Sequence, residues 1–160
     1  SVVPYYLINK ALDLNFKPNI MLAARKLNES VANYVCNKID KDLKINFSKN
    51  KKIIIYGFAF KENCNDIRNT KIFDIYKRLK KKYKIVNIYD PLVSKDTVKK
   101  CYNIKLINTI RKNYYDYALI AVGHDVFKKN GIRKIKNLLK NKSHIYDFIN
   151  IFGLNKKIKK

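Results

Sequence analysis

The segment from Gly57 to Arg68 holds the side chains best suited to binding an anionic ligand. Lys61 supplies a point charge for a phosphate group, and Arg68 supplies a planar group that donates two parallel hydrogen bonds. The alternative is that both cations are solvated and that Asp66 simply pairs with Arg68. Gly57 is the one glycine of this segment, whereas a dinucleotide-binding loop uses three. The segment therefore predicts contact with a phosphate but is, by itself, a poor site for NAD.

The cysteines and histidines give no support for a metal site or a disulfide framework. Cys36, Cys64 and Cys101 form no CxxC pair and are odd in number, so we expect reduced structural thiols and no bound metal. His124 follows a strongly apolar run, and we expect it to form structural hydrogen bonds rather than to act as an acid or base. Asp90-Pro91 predicts a turn that ends a strand.

The chain is strongly basic, with 36 lysines and arginines against 12 acidic residues and a formal net charge of +24. Clustered cations favour nucleic-acid binding, because they neutralise phosphates and release counterions. Here 31 of the cations are lysine and only 5 are arginine, the residue that reads phosphate and guanine with two parallel hydrogen bonds. The lysines are scattered, with their densest runs at 77–84 and in the tail at 156–160. The composition therefore disfavours a nucleic-acid partner and is typical of an AT-rich coding sequence with a solvated basic surface.

Nothing in the sequence indicates a membrane partner. No run approaches the roughly 18 consecutive apolar residues of a membrane-spanning helix. The first residues also lack the basic, apolar and small-residue regions of a signal peptide. We therefore expect a cytoplasmic chain.

Two helices are predicted in the first part of the chain. Pro4 at a first helical turn and the spacing of apolar residues indicate a short helix over Pro4–Leu14. Asn19–Leu43 predicts one long amphipathic helix, since apolar residues recur every four positions without an internal glycine or proline. Its apolar stripe is longer than the short helix can cover, so part of it should meet another domain or a second subunit. Residues 1–46 are therefore assigned to a helical segment and 47–160 to a second domain.

The rest of the chain alternates predicted strands and helices, which is typical of an α/β domain with a doubly wound parallel sheet. Short apolar runs predict about five strands, and helical spacing predicts helices between them. The strands are Ile53–Tyr56, Ile85–Tyr89, Ile104–Ile107, Tyr117–Val122 and His144–Phe148, and the helices are centred on 72–79, 94–101 and 132–139. In such a sheet a ligand binds at the carboxyl ends of the strands, where the strand order reverses.

Short motifs follow one another over nearly the whole chain. They are residues 2–7 (VVPYYL), 22–29 (LAARKLNE), 57–71 (GFAFKENCNDIRNTK), 89–91 (YDP), 121–124 (AVGH) with Phe127, and 145–147 (IYD). In this order they resemble the UDP-glucose/GDP-mannose dehydrogenase family, the first two its central helical segment and the others its C-terminal UDP-binding domain. The opening and the DIRNT sequence at 66–70 are most similar to the branch that oxidises UDP-N-acetylhexosamines.

The resemblance implies a part of an enzyme that oxidises the C6 alcohol of a UDP-sugar to a carboxylate in two NAD-dependent steps, for surface polysaccharide synthesis. It implies a Rossmann-like fold for residues 47–160, with NAD held mainly by a separate N-terminal domain. It also implies a homodimer formed through the long helix.

The resemblance assigns roles to four residues of this chain. Phe60 and Lys61 match positions that contact the UDP-sugar, and Arg68 matches a position that reaches NAD across the cleft. Arg25 matches a basic residue of the long helix that approaches the substrate of the neighbouring subunit, with a plain surface arginine as the alternative.

The chain also departs from the family pattern. The nucleophilic cysteine of the family falls upstream of Ser1, so no catalytic residue is assigned here, and we expect the chain to be a fragment that cannot transfer hydride alone. Val3 stands where the family has an acidic residue, and Ile149 where it has a basic one. These departures leave a catalytically dead UDP-binding module or a degenerate remnant as alternatives, with a basic nucleic-acid binder as a third.

Overall fold

The computed structural model describes residues 3–43 and 50–154, and the side chains from Pro4 onward. Two helices come first, α1 (Val3–Asp13) and α2 (Asn19–Leu43), and both predictions are confirmed. The 25 residues of α2 form one uninterrupted helix, as the absence of internal glycine and proline predicts.

The two halves of α2 have different surroundings. Its buried residues all lie in the second half, from Ala32 to Leu43. In the first half, Leu27 is 71% exposed although it belongs to the predicted apolar stripe. Part of this stripe is therefore left uncovered by the described chain, as the sequence predicts.

Two acidic side chains fasten the second half of α2 to the following domain. Asp40 accepts a hydrogen bond of 2.8 Å from the Tyr83 hydroxyl and pairs with Lys82. Asp42 accepts a hydrogen bond of 2.6 Å from the Tyr117 hydroxyl. Since buried polar groups gain from fixed partners, these bonds hold the helix in one position against the sheet.

The second part of the chain is an α/β domain built on four parallel strands. They are β1 (Lys52–Tyr56), β2 (Ile85–Tyr89), β3 (Tyr117–Ile120) and β4 (His144–Asp147), and their order in the sheet is β2-β1-β3-β4. In register, Ile55 of β1 lies opposite Ile88 and Leu119, and Leu119 lies opposite Tyr146. Three helices connect the strands: α3 (Ile72–Lys82), α4 (Lys95–Tyr102) and α5 (Asp125–Leu138). The predicted doubly wound parallel sheet is confirmed.

The strands are apolar throughout because both faces of the sheet are covered. Ile53 and Ile55 belong to the apolar cluster that includes the buried side chains of α2, α3 and α4. Ile54 and Tyr56 belong to the cluster on the other face, which contains Phe127 of α5. Since side chains alternate between faces along a strand, a continuous apolar run is needed to fill both clusters.

The prediction of a fifth strand at Ile104–Ile107 is wrong. Ile104 and Leu106 are buried, which gives the segment the alternating pattern of a strand. Beside β2, however, it forms one backbone hydrogen bond to the sheet, of 3.0 Å from the Ile107 amide to the Ile88 carbonyl, rather than a ladder. Alternating burial therefore arises here from packing of an extended edge segment and not from strand pairing.

The last helix begins earlier than the sequence pattern indicates. Apolar spacing predicts a helix over 132–139, whereas α5 begins at Asp125 and continues through a kink at Gly131, where φ is +70° and ψ is 159°. This backbone conformation is accessible to glycine without strain. Because the backbone is not helical at Gly131, the apolar spacing of 132–139 does not continue in phase before it.

Some sequence predictions fall outside the described residues. The predicted domain boundary, between residues 46 and 47, lies in the segment 44–49, and the lysine-rich tail lies beyond residue 154. Within the described ranges, no helix is both long and apolar enough to cross a membrane.

Candidate functional site

The candidate site lies at the carboxyl ends of β1 and β3. After β1 the chain moves outward to β2, and it then returns to the opposite side of β1 to form β3. Loops that leave two neighbouring strands in opposite directions open a crevice between them. The loop 57–71 after β1, here called the ligand loop, and the turn 121–124 after β3 face each other there.

Glycine is required where these two loops are closest. Gly57 has a φ of +95°, and a Cβ added to it would lie 2.4 Å from Cβ of Val122. Its amide donates a hydrogen bond of 2.9 Å to the Tyr89 carbonyl. The start of the ligand loop therefore packs directly on the turn that follows β3.

Asp90 anchors the start of the loop. It is 1% exposed, and its Oδ2 atom accepts hydrogen bonds from the amides of Phe58, at 2.6 Å, and Ala59, at 3.1 Å. Its Oδ1 atom accepts one from the Leu92 amide, at 2.9 Å. Asp90 thus ends its strand in a turn, as predicted, and in addition fixes a loop whose bonded amides lie 31 and 32 residues earlier in the sequence.

His124 lies between the same loops and is fully buried. Its Nε2 atom is 3.1 Å from Oδ2 of Asp90, and its Nδ1 atom is 3.0 Å from the Asn63 amide nitrogen. The ring lies 5.4 Å from that of Phe127. The expected structural hydrogen bonding of His124 is present in the structure.

A cavity of about 1050 Å³ opens between the first two helices and the ligand loop. Its walls combine aromatic rings, amides and charged groups from both parts of the chain. The lining consists of Pro4, Tyr5, Ile8, Met21, Ala24, Arg25, Asn28, Phe60, Asn69, Thr70, Lys71, Phe73, Asp74 and Tyr102. A space of this size is at the upper end of the range for small-molecule sites, and rings with a few polar groups are typical of them.

Two of the four residues assigned from the sequence, Arg25 and Phe60, line this cavity from opposite sides. Arg25 stacks on the Tyr5 ring, with its guanidinium carbon 4.3 Å from the ring centre, and its Nε atom donates a 2.9 Å hydrogen bond to Glu29. This hydrogen bond raises the pKa of Arg25, so the group is charged at any physiological pH. Phe60 is 46% exposed at the mouth of the loop.

Lys61 and Arg68 lie elsewhere on the loop. Lys61 is exposed and follows Phe60, but it is not among the residues that line the cavity. Arg68 donates hydrogen bonds to Asp66 from Nε, at 3.0 Å, and from Nη2, at 2.8 Å. These bonds lower the pKa of Asp66 to about 2. Pairing of Asp66 with Arg68, one of the two possibilities left open by the sequence, is therefore present.

Several residues of the site have no signal in the sequence pattern. Tyr102 lines the cavity yet reads as an ordinary helix residue, and Tyr5 and Asn28 fall within quoted motifs but were assigned no role. Asn63 has a φ of +53°, a conformation that asparagine tolerates better than most residues, and this preference is the one available hint of its special position. Within the described residues, no group of three histidine, cysteine or acidic side chains is placed to hold a metal ion.

Comparison with known proteins identifies the family. Residues 54–154 match the model of the UDP-glucose/GDP-mannose dehydrogenase family, UDP binding domain. This match covers more than half of the chain and includes the loop after β1, Asp90 and His124. The chain therefore belongs to the UDP-glucose/GDP-mannose dehydrogenase family.

Two curated relatives extend the match toward the first helix. The chain is 40% identical over 150 residues to a UDP-N-acetyl-D-glucosamine 6-dehydrogenase from Salmonella typhi, which covers 92% of this chain and 35% of that protein. It is 36% identical over 150 residues to the enzyme of the same name from Pseudomonas aeruginosa, with the same coverage of 92% and 35%. The chain thus spans about a third of the length of these relatives.

A solved structure supports the fold. The chain superimposes on a UDP-D-ManNAc dehydrogenase from Pyrococcus horikoshii with a TM-score of 0.73 and 21% sequence identity, over 91% of this chain and 33% of that one. At this identity the similarity establishes the shared fold, and that fold includes the helices that precede the α/β domain.

Proposed function

We propose that this chain is the UDP-sugar-binding part of an NAD-dependent dehydrogenase that oxidises C6 of a UDP-N-acetylhexosamine to the uronate, for surface polysaccharide synthesis. The observation that carries the proposal is the 40% identity to a UDP-N-acetyl-D-glucosamine 6-dehydrogenase over 92% of the chain. NAD accepts the hydride in such a reaction. Gly57 is the one glycine of its loop, which fits a pyrophosphate-binding loop poorly, so we assign NAD mainly to the remaining two thirds of a full-length enzyme.

The chemistry of the cavity supports a nucleotide sugar as its ligand. The exposed Phe60 ring offers a face on which a uracil base can stack, and Tyr5, Phe73 and Tyr102 add aromatic surface to the same cavity. Arg25 and Lys71, the residue before α3, are two cations of the lining against one carboxylate, that of Asp74, and a diphosphate would pair with the cations. The cavity therefore combines an aromatic surface for the base with positive charge for the phosphates.

Two exposed cations of the loop complete the proposed site. Lys61 adjoins Phe60 and supplies a further charge for the diphosphate. Arg68, held by Asp66, has a side chain that is 85% exposed, so it projects from the loop toward solvent. We assign Arg68 to contact with NAD across the cleft of the complete enzyme.

Titration calorimetry of the 160-residue chain with UDP, UDP-N-acetylglucosamine and NAD, at two salt concentrations, tests this proposal. We expect both UDP compounds to bind and NAD not to bind. Failure of both UDP compounds would favour a degenerate remnant. Affinity for an oligonucleotide that falls steeply with salt, without affinity for UDP, would favour the nucleic-acid alternative. Catalytic competence needs a separate assay, in which a longer chain that includes the upstream cysteine oxidises the UDP-sugar with NAD.

The substitution Lys61→Ala is expected to weaken UDP binding about tenfold, which corresponds to about 1.4 kcal/mol. The reason is the loss of one charge next to the diphosphate. The matched control is Lys105→Ala, which removes another exposed lysine, from the segment after α4, and should leave the affinity unchanged. Equal affinities of the two variants would remove Lys61 from the site.

A second row of apolar side chains on α2, which is exposed, supports a homodimer as part of the same proposal. Ile20, Leu27 and Tyr34 are 87%, 71% and 63% exposed and are spaced seven residues apart. Residues at this spacing lie on one side of a helix, the arrangement that pairs of helices bury between them. We assign this stripe to the contact between two copies of the chain.

Leu27→Glu is expected to convert the dimer to a monomer, because a carboxylate would replace an apolar side chain at the centre of the buried stripe. Sedimentation velocity measures the change in mass. Asn37→Glu introduces the same charge at another exposed position of α2 and should leave the dimer intact. A monomeric wild-type chain, or an unchanged mass for Leu27→Glu, would contradict this interface.

A further inference from the structure

Hydrogen bonds fix the ligand loop on both sides of Phe60-Lys61. On one side, Oδ2 of Asp90 accepts the amides of Phe58 and Ala59. On the other side, Nδ1 of His124 accepts the amide of Asn63 at 3.0 Å. The two fixed points are themselves joined, because Nε2 of His124 lies 3.1 Å from Oδ2 of Asp90.

The partners of His124 define its protonation. A backbone amide can only donate, so Nδ1 must be the unprotonated acceptor. The ring proton therefore resides on Nε2, which donates it to the Asp90 carboxylate. In this tautomer the imidazole is a directed link between a buried carboxylate and a loop amide.

Asn63 forms a second link between the same two loops. Its side-chain oxygen accepts the Asp125 amide at 2.9 Å, and its side-chain nitrogen donates to the Asp125 carboxylate at 2.8 Å. Asp125 is the first residue of α5 and directly follows His124. The far side of the loop is thus held by three hydrogen bonds to the segment after β3.

We propose that His124 is a positioning residue, which through the Asn63 amide and Asp90 holds Phe60-Lys61 in the conformation that binds the UDP-sugar. This inference rests on the proposed function. The hydrogen bonds involve the residues that flank Phe60-Lys61 and leave both side chains exposed for a ligand. Since ordering a loop on binding weakens affinity, a loop that is already ordered binds more tightly.

Two substitutions distinguish the hydrogen bond of His124 to the Asn63 amide from its hydrogen bond to Asp90. In His124→Asn the side-chain oxygen can replace Nδ1 and still accept the Asn63 amide. In His124→Gln the side-chain nitrogen can replace Nε2 and still donate to Asp90, but the bond to Asn63 is lost. We expect His124→Gln to weaken UDP binding at least tenfold and to speed hydrogen exchange at the Asn63 amide, and His124→Asn to stay within about threefold of wild type.

A third substitution avoids the buried core. Asn63→Gly keeps the positive φ of an exposed position but removes both side-chain bonds to Asp125. We expect it to weaken UDP binding about fivefold. The matched control is Asn113→Gly, at an exposed asparagine with the same φ of 53°, which should bind UDP as wild type does.

Wild-type affinity in His124→Gln and Asn63→Gly would overturn the proposal. Equal losses in His124→Gln and His124→Asn would also overturn it, because they would point to a role in packing alone. If either His124 variant fails to fold, wild-type UDP affinity in Asn63→Gly, compared with Asn113→Gly, would still overturn the premise that bonds to the segment after β3 hold the loop for binding. If the wild-type chain bound no UDP compound, the proposed function would fail, while exchange at the Asn63 amide would still report whether His124 orders the loop.

Discussion

Gly57→Ala is expected to destabilise the chain by about 3 to 4 kcal/mol and to lower its melting temperature by about 10 °C. Two effects add. A φ of +95° is strained for any residue with a Cβ, and the new atom would lie 2.4 Å from Cβ of Val122 and 3.0 Å from the Val122 amide nitrogen. The backbone atom cannot turn away as a flexible side chain can, so β1 and the turn after β3 must separate. Thermal and urea unfolding measure the loss.

Gly153→Ala provides the control for the backbone effect alone. Gly153 also has a positive φ, of +66°, but a Cβ there would meet nothing within 4 Å. We expect a loss of about 1 kcal/mol, from the left-handed conformation only. If the two variants lost equal stability, the close approach of Gly57 to Val122 would contribute nothing.

Asp90→Ala is expected to cost about 3 to 5 kcal/mol of unfolding free energy. The substitution leaves the buried amides of Phe58 and Ala59 without their acceptor, and each such orphan costs about 1 to 3 kcal/mol. It also removes the acceptor of His124. Asp13→Ala, at an exposed acidic residue of α1, should leave stability unchanged. Urea unfolding compares the two, and a small loss for Asp90→Ala would mean that other groups hold the loop.

The same carboxylate makes stability depend on pH in a defined direction. Burial by itself raises the pKa of Asp90, but hydrogen bonds from His124 and from the amides of Phe58, Leu92 and Ala59 together lower it below its ordinary value of 3.8. The pKa of Asp90 is thus lower in the folded chain than in the unfolded chain. The stability contributed by the Asp90 carboxylate is therefore fully present above the unfolded pKa and is lost as pH falls through the folded pKa. We expect Asp90→Asn to lose less stability than wild type between pH 6 and about pH 3. If wild type and Asp90→Asn lost equal stability over this pH range, other carboxylates would be responsible for the acid sensitivity.

Local patterns were sufficient for most of the fold. The bounds of α2 follow from its uninterrupted periodic stripe. The position of β1 follows from a continuous apolar run, which is typical of a strand that is buried on both faces of a sheet. The fifth predicted strand fails because the alternation at Ile104–Ile107 reports burial, whereas a strand is defined by its hydrogen-bond partners. Those partners lie on another segment and leave no trace in the local sequence.

The site was harder to predict from the sequence than the fold, because its residues also come from distant segments. Arg25 and Phe60 are 35 positions apart, and their common cavity exists because α2 folds back on the loop. Their assignment came from family resemblance and not from spacing. Asp90 reads as a turn residue because its dipeptide is typical of turns, while its bonds to the Phe58 and Ala59 amides depend on the pairing of β1 with β2.

Because α2 is one continuous helix, a change of angle at its packed half displaces its other half. The half from Ala32 to Leu43 is clamped to the sheet, and the half before it forms one wall of the large cavity. Residues 19–31 span about 18 Å, so a tilt of about 10° at the clamped half moves Asn19 by about 3 Å. The opposite wall, with Phe60, belongs to the domain that clamps the helix. A change in the inclination of α2 would therefore change the width of the cavity.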